Sequence, residues 1–177
     1  MSAMEIFPDD IFPDDSWTVG TADQDGQSVI IRVRSQMPDV ADRQRHAQLI
    51  VVGWPYDGTE SGLPTNDETA AMQDFEGAVE AGLERGGAGT QVASVTGAGH
   101  KEWRYYTADA DAFVAALNAS LDGHPTYPLE IEMFDDSEWQ GMQQLLDGLD
   151  EDHDEDEDGG DEPTGEDADG AKPDDDA

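Results

Sequence analysis

The stretch His46-Ala-Gln-Leu-Ile-Val-Val-Gly-Trp54 decides the fold. Its run from Leu49 to Val52 is apolar at every position, so both faces of the strand that it predicts are apolar. This pattern is typical of a central strand, and we predict such a strand over His46–Trp54.

In the segments that follow, the spacing of apolar residues is in some cases typical of a helix and in others typical of a strand. Apolar residues recur at helical spacing in three segments and at strand spacing in three others. The tight Gly97-Ala98-Gly99 turn joins two of the strands. In chain order the predicted elements are a helix over Asp67–Arg85, strands over Thr90–Thr96 and Lys101–Tyr106, a helix over Asp109–Leu121, a strand over Tyr127–Phe134 and a helix over Ser137–Leu149.

From His46 onward the order is β-α-β-β-α-β, which predicts an α+β, ferredoxin-like antiparallel sheet with two helices on one face. Strands over Ser16–Ala22 and Ser28–Arg34 flank an Asp25-Gly26 turn, and this N-terminal β-hairpin extends the sheet. The short C-terminal helix covers an edge or an end of it. The predicted core comprises Leu49, Val51, Phe75, Val79, Phe113, Leu117, Leu129 and Ile131.

The two ends of the chain differ from this single domain, which we place at residues 16–149. Residues 1–15 hold the repeat Ile-Phe-Pro-Asp-Asp at 6–10 and 11–15. We interpret them as a disordered arm, and a short linear motif is the alternative. Residues 150–177 hold 16 acidic residues and one basic residue, which predicts a disordered acidic tail.

Charge restricts the partners. The chain has 43 Asp and Glu against 8 Lys and Arg, a formal net charge of −35. Nucleic acids and anionic membranes need Lys and Arg to displace counterions, so neither is an expected partner. The charge suits a basic protein partner, and solubility or a salt-adapted source would also explain it.

The sequence shows no clear features of secretion, membrane insertion, metal or cofactor binding, or catalysis. The chain has no cysteine, no basic and apolar N-terminal signal, and no apolar run long enough to cross a bilayer, so a cytoplasmic protein is expected. No two of its four histidines are four residues apart, and its glycine clusters do not join a strand to a helix start. We therefore predict no metal site, no cofactor and no catalytic residue.

One cationic and aromatic group is a candidate binding site, formed by Arg32, Arg34, Arg104 and Tyr106. Arg32 and Arg34 share one face of their strand, and Arg104 and Tyr106 share one face of theirs. One interpretation is pairing with neighbouring carboxylates. The alternative is that a helix-free, open sheet face binds an anionic group through bidentate arginine contacts.

The order of several short motifs resembles the bacterial domain of unknown function 695 family over about residues 16–147. The motifs are Gly62-Leu-Pro64, Trp103-Arg-Tyr-Tyr106, Asp109-Ala-Asp-Ala-Phe113 and Asp136-Ser-Glu-Trp139. That family has no established activity. The resemblance also implies a distant similarity to the ribonuclease E inhibitor B family, whose members look ferredoxin-like and in some cases carry an acidic tail.

Two functions remain open. The first is a non-catalytic binding or regulatory module that contacts a basic protein surface, with an RNA-processing enzyme as one such partner. The alternative is a small enzyme or anionic-ligand binder that uses the arginine-lined open sheet face. The sequence leaves the oligomeric state open.

Overall fold

The structure, a computed structural model, describes residues 11–12, 16–84 and 87–157, without the side chains of 84 and 150–157. Within these residues, one antiparallel sheet of six strands carries four α-helices, so the protein is α+β. The strands are β1 (Trp17–Gln24), β2 (Gln27–Arg34), β3 (Gln48–Pro55), β4 (Thr90–Gly97), β5 (His100–Thr107) and β6 (Glu130–Asp135). The helices are α1 (Val40–Arg45), α2 (Asn66–Val79), α3 (Ala110–Ser120) and α4 (Gln140–Glu157), and a π-helical turn, Glu80–Glu84, follows α2.

The strand order is β1-β2-β4-β5-β3-β6, and every pair is antiparallel. β1 and β2 form the predicted hairpin and pair through β2 with β4. The order therefore differs from that of a four-stranded ferredoxin-like sheet. β3, the apolar strand, lies between β5 and β6, and β6 is the last strand at its edge.

Two short turns set the register of the hairpins. Asp25 and Gly26 have φ of 55° and 84°, and Ala98 and Gly99 have φ of 55° and 79°. Two successive left-handed residues match the twist of the strands that they join. Each pair closes a two-residue hairpin loop, between Gln24 and Gln27 in the first and between Gly97 and His100 in the second.

The core forms two layers, one on each face of the sheet. On one face, α2, α3 and the π-helical turn cover Ile50, Val52, Trp54, Trp103 and Tyr105. On the other face, residues of α4 and Phe12 cover Val29, Ile31, Val33, Leu49 and Tyr106. The sheet is therefore covered by helices on both faces.

This arrangement corrects the placement of the C-terminal helix. α4 does not cover an edge or an end of the sheet, because Trp139 and Met142 pack on the sheet face and are fully buried. It also continues to Glu157, beyond the predicted end at Leu149. The apolar periodicity stops at Leu149, which is why the sequence predicts the end of the helix there. This periodicity indicates where one side of a helix is buried, and the helical backbone can continue beyond it.

α1 was not predicted. Asp39 caps it by accepting a hydrogen bond from the Asp42 N–H at 2.9 Å, and Arg43 and Arg45 lie in its last turn. Both features favour a helix, but none of its six residues is buried. The pattern of apolar residues therefore carries no signal there.

Most of the predicted core is buried: Leu49, Phe75, Val79, Phe113 and Leu117 are at most 6% exposed. Val51 and Leu129 are half-buried. Ile131 is 38% exposed, so its predicted burial is wrong. It lies on the edge strand β6, where no neighbouring strand covers it among the residues that the structure describes.

The arm and the tail are described only in part. Ile11 and Phe12 belong to the second Ile-Phe-Pro-Asp-Asp unit, and Phe12 is buried against Trp139 at a ring distance of 6.2 Å. The predicted disorder of residues 1–10, 13–15 and 158–177 lies outside the described residues and stays a prediction.

We expect Leu117→Ala to lower the free energy of unfolding by about 2–5 kcal/mol, because it removes a large apolar side chain from the layer under α3 and leaves a cavity. Leu117 is 1% exposed. Chemical denaturation measures the change. A loss below about 1 kcal/mol would mean that α3 does not pack on the sheet as described.

A capping box predicts an acid-sensitive start of α2. The Thr65 N–H donates to Glu68 Oε1 at 2.8 Å, and the Glu68 N–H donates to the Thr65 hydroxyl. The Thr65 N–H holds the pKa of Glu68 below its usual value of 4.5. The folded pKa is the lower one, so the stabilisation is present above about pH 4.5 and is lost as the pH falls through the folded pKa.

We therefore expect Glu68→Gln to make the melting temperature less dependent on pH between about pH 5 and pH 3. Thermal melts of both proteins across that range measure the effect. Glu60→Gln, an exposed acid in the preceding loop, is the matched control. Equal pH dependence in wild type and Glu68→Gln would contradict the prediction.

Candidate functional site

The predicted arginine-lined face is not one surface. In the sheet register, Arg32 lies opposite Ser94, and Ser94 lies opposite Trp103. Partners in register point to the same face, so Arg32 lies on the face of Trp103, which α2 and α3 cover. Arg104 and Tyr106 follow Trp103 by one and three residues and point to the other face. The prediction of one open, helix-free face is therefore wrong.

Arg104 and Tyr106 hold α4 against the sheet. Arg104 donates from Nε to Glu102 Oε1 at 2.6 Å and from a terminal nitrogen to the Gly141 carbonyl at 2.6 Å. The Tyr106 ring is fully buried and stacks on Trp139, with ring centroids 3.8 Å apart and planes within 5°. Neither side chain presents its polar group on an open surface.

Asp136 connects Tyr106 to the start of α4. Its Oδ2 accepts hydrogen bonds from the Tyr106 hydroxyl at 2.6 Å and from the Gly141 N–H at 2.9 Å. Its Oδ1 accepts from the Gln140 N–H at 2.9 Å. Burial raises the pKa of Tyr106 well above its usual value, and the hydrogen bond to Asp136 raises it further. The hydroxyl therefore stays protonated at neutral pH and donates a hydrogen bond to Asp136, which is a structural contact.

The two remaining arginines contact aromatic rings. The Arg32 guanidinium carbon lies 3.6 Å from the centroid of Trp17, and that of Arg34 lies 4.4 Å from Trp17 and 4.5 Å from Phe12. Arg34 Nε also donates to the Gln91 carbonyl at 3.3 Å. These contacts tie the exposed Arg32 and the half-buried Arg34 to the hairpin and the N-terminal arm.

A cavity of about 370 Å³ lies beside Arg32, between the sheet and the end of α2. Its charged groups are two cations and two carboxylates. Its lining residues are Arg32, Glu76, Val79, Glu80, Gln91, Ser94, Lys101 and Tyr105. Of the four predicted site residues, only Arg32 contributes to this cavity.

Glu76 fixes one side of the cavity. Its Oε1 accepts hydrogen bonds from Lys101 Nζ and from Trp103 Nε1, both at 2.8 Å. Lys101 Nζ also lies 5.0 Å from the Trp103 ring. Glu76 and Lys101 are not among the residues predicted from the sequence. The signal was the i, i+2 spacing of Lys101 and Trp103, which puts both side chains on one strand face.

The outer edge of β6 is a second candidate surface. Three large apolar side chains of this strand are exposed by 38–50%: Ile131, Met133 and Phe134. Glu130, Glu132 and Asp135 complete the strand, and all three acids are exposed. An exposed apolar edge strand is uncommon in a monomeric protein, because its free backbone groups can pair with other chains.

Metal-binding clusters and membrane-spanning helices are both absent from the described parts of the chain, which have gaps at both ends and at 85–86. No group of three or more histidines and carboxylates there is arranged to hold a metal ion. No helix there is long and apolar enough to cross a membrane.

Comparison with known proteins gives one match. The model of the family described as "Family of unknown function (DUF695)" matches residues 15–146. No curated protein and no solved structure matches the chain. The predicted similarity to the ribonuclease E inhibitor B family is not shown by these comparisons and stays a prediction.

Proposed function

Since the chain belongs to the DUF695 family, whose function is unknown, we propose that it is a non-catalytic binding module that contacts a basic surface of another protein. The observation that carries this proposal is the imbalance between engaged cations and exposed carboxylates. The chain has 8 Lys and Arg against 43 Asp and Glu. Five of the cations lie against groups of the chain itself: Arg32, Arg34, Arg45, Lys101 and Arg104.

The consequence is a surface of one dominant sign. Carboxylates on the outer face of α2, at the hairpin turn and along β6 are exposed, and nearby cations do not balance them in number. Such a field attracts a basic protein surface and repels phosphate backbones. It also speeds association more than it slows dissociation, because long-range steering acts before contact.

We expect binding to a basic partner to weaken as salt is added, mainly through the association rate. Exposed charges are screened beyond about 8 Å at physiological ionic strength. The full chain would capture partners from a lysate, and the kinetics of each purified partner would be measured between about 50 and 300 mM salt. Deletion of residues 150–177 removes 16 acidic residues and one basic residue and should slow association further.

Two outcomes would contradict this proposal. One is tight, salt-sensitive binding of RNA or DNA by the purified chain. The other is partner binding that is indifferent both to salt and to the deletion. The more specific hypothesis of an RNA-processing enzyme as the partner is tested by the identity of the captured proteins.

A second candidate function is binding of a small carboxylate in the cavity beside Arg32. It is favoured by the cavity volume of about 370 Å³ and by the exposed guanidinium at its rim. A panel of amino acids and dicarboxylates should raise the melting temperature of the wild type and not of Arg32→Ala. Arg45→Ala, an exposed arginine of α1 outside the cavity, is the control. If no carboxylate raises the melting temperature, this candidate is discarded.

We also infer that the segment from β3 to β6 is a ferredoxin-like unit. In its support, the elements follow the order β-α-β-β-α-β, and both of its helices pack on one face of the sheet.

A further inference from the structure

We propose that the outer edge of β6 is a docking site for an extended basic segment of a partner protein, which adds to the sheet as a seventh strand. This inference rests on the proposed function and specifies where and how the partner binds. The proposed partner segment alternates Lys or Arg with apolar residues.

The register shows which backbone groups of β6 are available. The Asp136 N–H donates to the Ala47 carbonyl at 2.7 Å, and β6 pairs with β3 in the same register, Phe134 with Leu49 and Glu132 with Val51. Antiparallel pairs alternate between hydrogen-bonded and non-hydrogen-bonded. Residues 130, 132 and 134 therefore bond to β3, and residues 131, 133 and 135 point their N–H and C=O groups outward. These groups have no strand partner within the described part of the chain.

The side chains of β6 differ between its two faces. Ile131 lies opposite the buried Val52, so it and Met133 lie on the face of α2 and α3. Glu130, Glu132 and Phe134 lie on the other face, and Asp135 shares the face of Ile131 and Met133. A strand added beside β6 would place apolar side chains next to Ile131 and Met133 and would place the intervening side chains next to the two glutamates.

Charge complementarity selects a basic occupant. Neighbouring cross-strand pairs are favourable for opposite charges and unfavourable for like charges. Glu130 lies near His100, whose Nε2 is 3.9 Å from a carboxylate oxygen of Glu130, and the Glu130 side chain is 67% exposed. Lys or Arg on the added strand would lie beside both glutamates, while their apolar neighbours would cover Ile131 and Met133.

Like-charge repulsion disfavours two other occupants of the β6 edge. A second copy of the chain would bring Glu130 and Glu132 of both copies onto one face, where they repel one another. The acidic residues 150–177 would add further negative charge beside them. Charged side chains on an edge strand suppress pairing with similar strands, and here they leave the edge open to a basic one.

The first test uses a labelled ten-residue peptide of alternating lysine and valine, with fluorescence anisotropy as the readout. A peptide of the same composition, with all lysines in one block, is its control. We expect the full chain to bind the alternating peptide more tightly. Glu130→Gln with Glu132→Gln should weaken this binding by about threefold to tenfold, because two charge pairs are lost.

A matched double substitution separates position from net charge. Asp23→Asn with Asp25→Asn removes the same charge at the hairpin beside β1, on the opposite edge of the sheet. We expect it to change peptide affinity by less than about twofold, because exposed charges that far away are largely screened. Equal weakening by both double variants would overturn the β6 site.

The second test removes an outward backbone donor. Met133→Pro deletes the N–H of residue 133 and keeps the N–H groups that bond to β3, whereas Met133→Ala removes only the side chain. Circular dichroism and thermal melts would check that both variants fold. We expect the proline variant to lose about tenfold or more in affinity beyond the alanine variant, from the lost bond and the bulk of the ring.

Amide chemical-shift changes provide a readout that does not depend on a substitution. The alternating peptide should shift the amides of residues 131, 133 and 135 most. Largest shifts at the β1 edge or beside Arg32 would overturn the proposal. So would a dimer in sedimentation experiments that Met133→Pro dissociates, because a second copy would then be the occupant.

The two proposals can fail separately. If a captured basic partner binds with a steep salt dependence and Met133→Pro leaves its affinity unchanged, the proposed function stands and the β6 site is wrong. If neither peptide binds and no basic partner is captured, both are wrong.

Discussion

Trp139→Ala is expected to lower the free energy of unfolding by about 3–5 kcal/mol, the range for loss of a large buried aromatic side chain. Trp139 is fully buried and stacks on Tyr106 at 3.8 Å. Its Nε1 donates to the His46 carbonyl at 2.9 Å, at the junction between α1 and β3. The substitution therefore separates three elements that the indole holds together and leaves a cavity beneath α4.

Chemical denaturation monitored by circular dichroism measures this loss. Trp17→Ala is the matched control, because Trp17 is half-buried and its ring lies against Arg32 and Arg34 near the sheet edge. We expect the control to cost less than half as much. Equal losses in the two variants would contradict the central role of Trp139.

Asp136→Ala is expected to cost about 1.5–5 kcal/mol, the sum of two contributions. It removes the acceptor for two N–H groups at the start of α4, a capping contribution of about 0.5–2 kcal/mol. It also leaves the Tyr106 hydroxyl without its 2.6 Å acceptor, and an unsatisfied buried donor costs about 1–3 kcal/mol.

A double-mutant cycle separates the two contributions. Tyr106→Phe removes the hydroxyl and keeps the stacked ring, so Asp136→Ala should cost less in that background. The difference measures the coupling between the hydroxyl and the carboxylate. A coupling near zero would mean that Asp136 acts through the helix start alone.

The secondary structure was largely predictable because each hydrophobic period reports a buried face. The six strands and the helices α2, α3 and α4 were predicted near their observed positions. α1 was missed because none of its residues is buried, and Ile131 was wrongly predicted as buried because it is apolar but lies on an edge strand. In both places the apolar pattern of the sequence did not match the burial in the fold. Hydrophobicity indicates what can be buried, and topology decides what is buried.

The candidate site was harder to predict because it depends on the register between strands. The sequence correctly paired Arg32 with Arg34 on one strand face and Arg104 with Tyr106 on another. Whether the two pairs lie on the same face of the sheet depends on which residues of neighbouring strands lie opposite each other. A shift of one residue in this register moves every side chain of a strand to the other face. Arg32 aligns with Trp103 through Ser94, and so Arg104 lies on the other side.

The burial of Phe12 gives the tandem repeat a further consequence. Deleting residues 6–10 or residues 11–15 produces the same chain, because the two five-residue units are identical. Either deletion leaves one phenylalanine four residues before the serine that precedes β1, at the spacing from which Phe12 reaches Trp139. The repeat therefore makes the anchoring phenylalanine redundant. Loss of one unit leaves a phenylalanine in place to pack against Trp139, and only loss of both units removes this aromatic contact from the core.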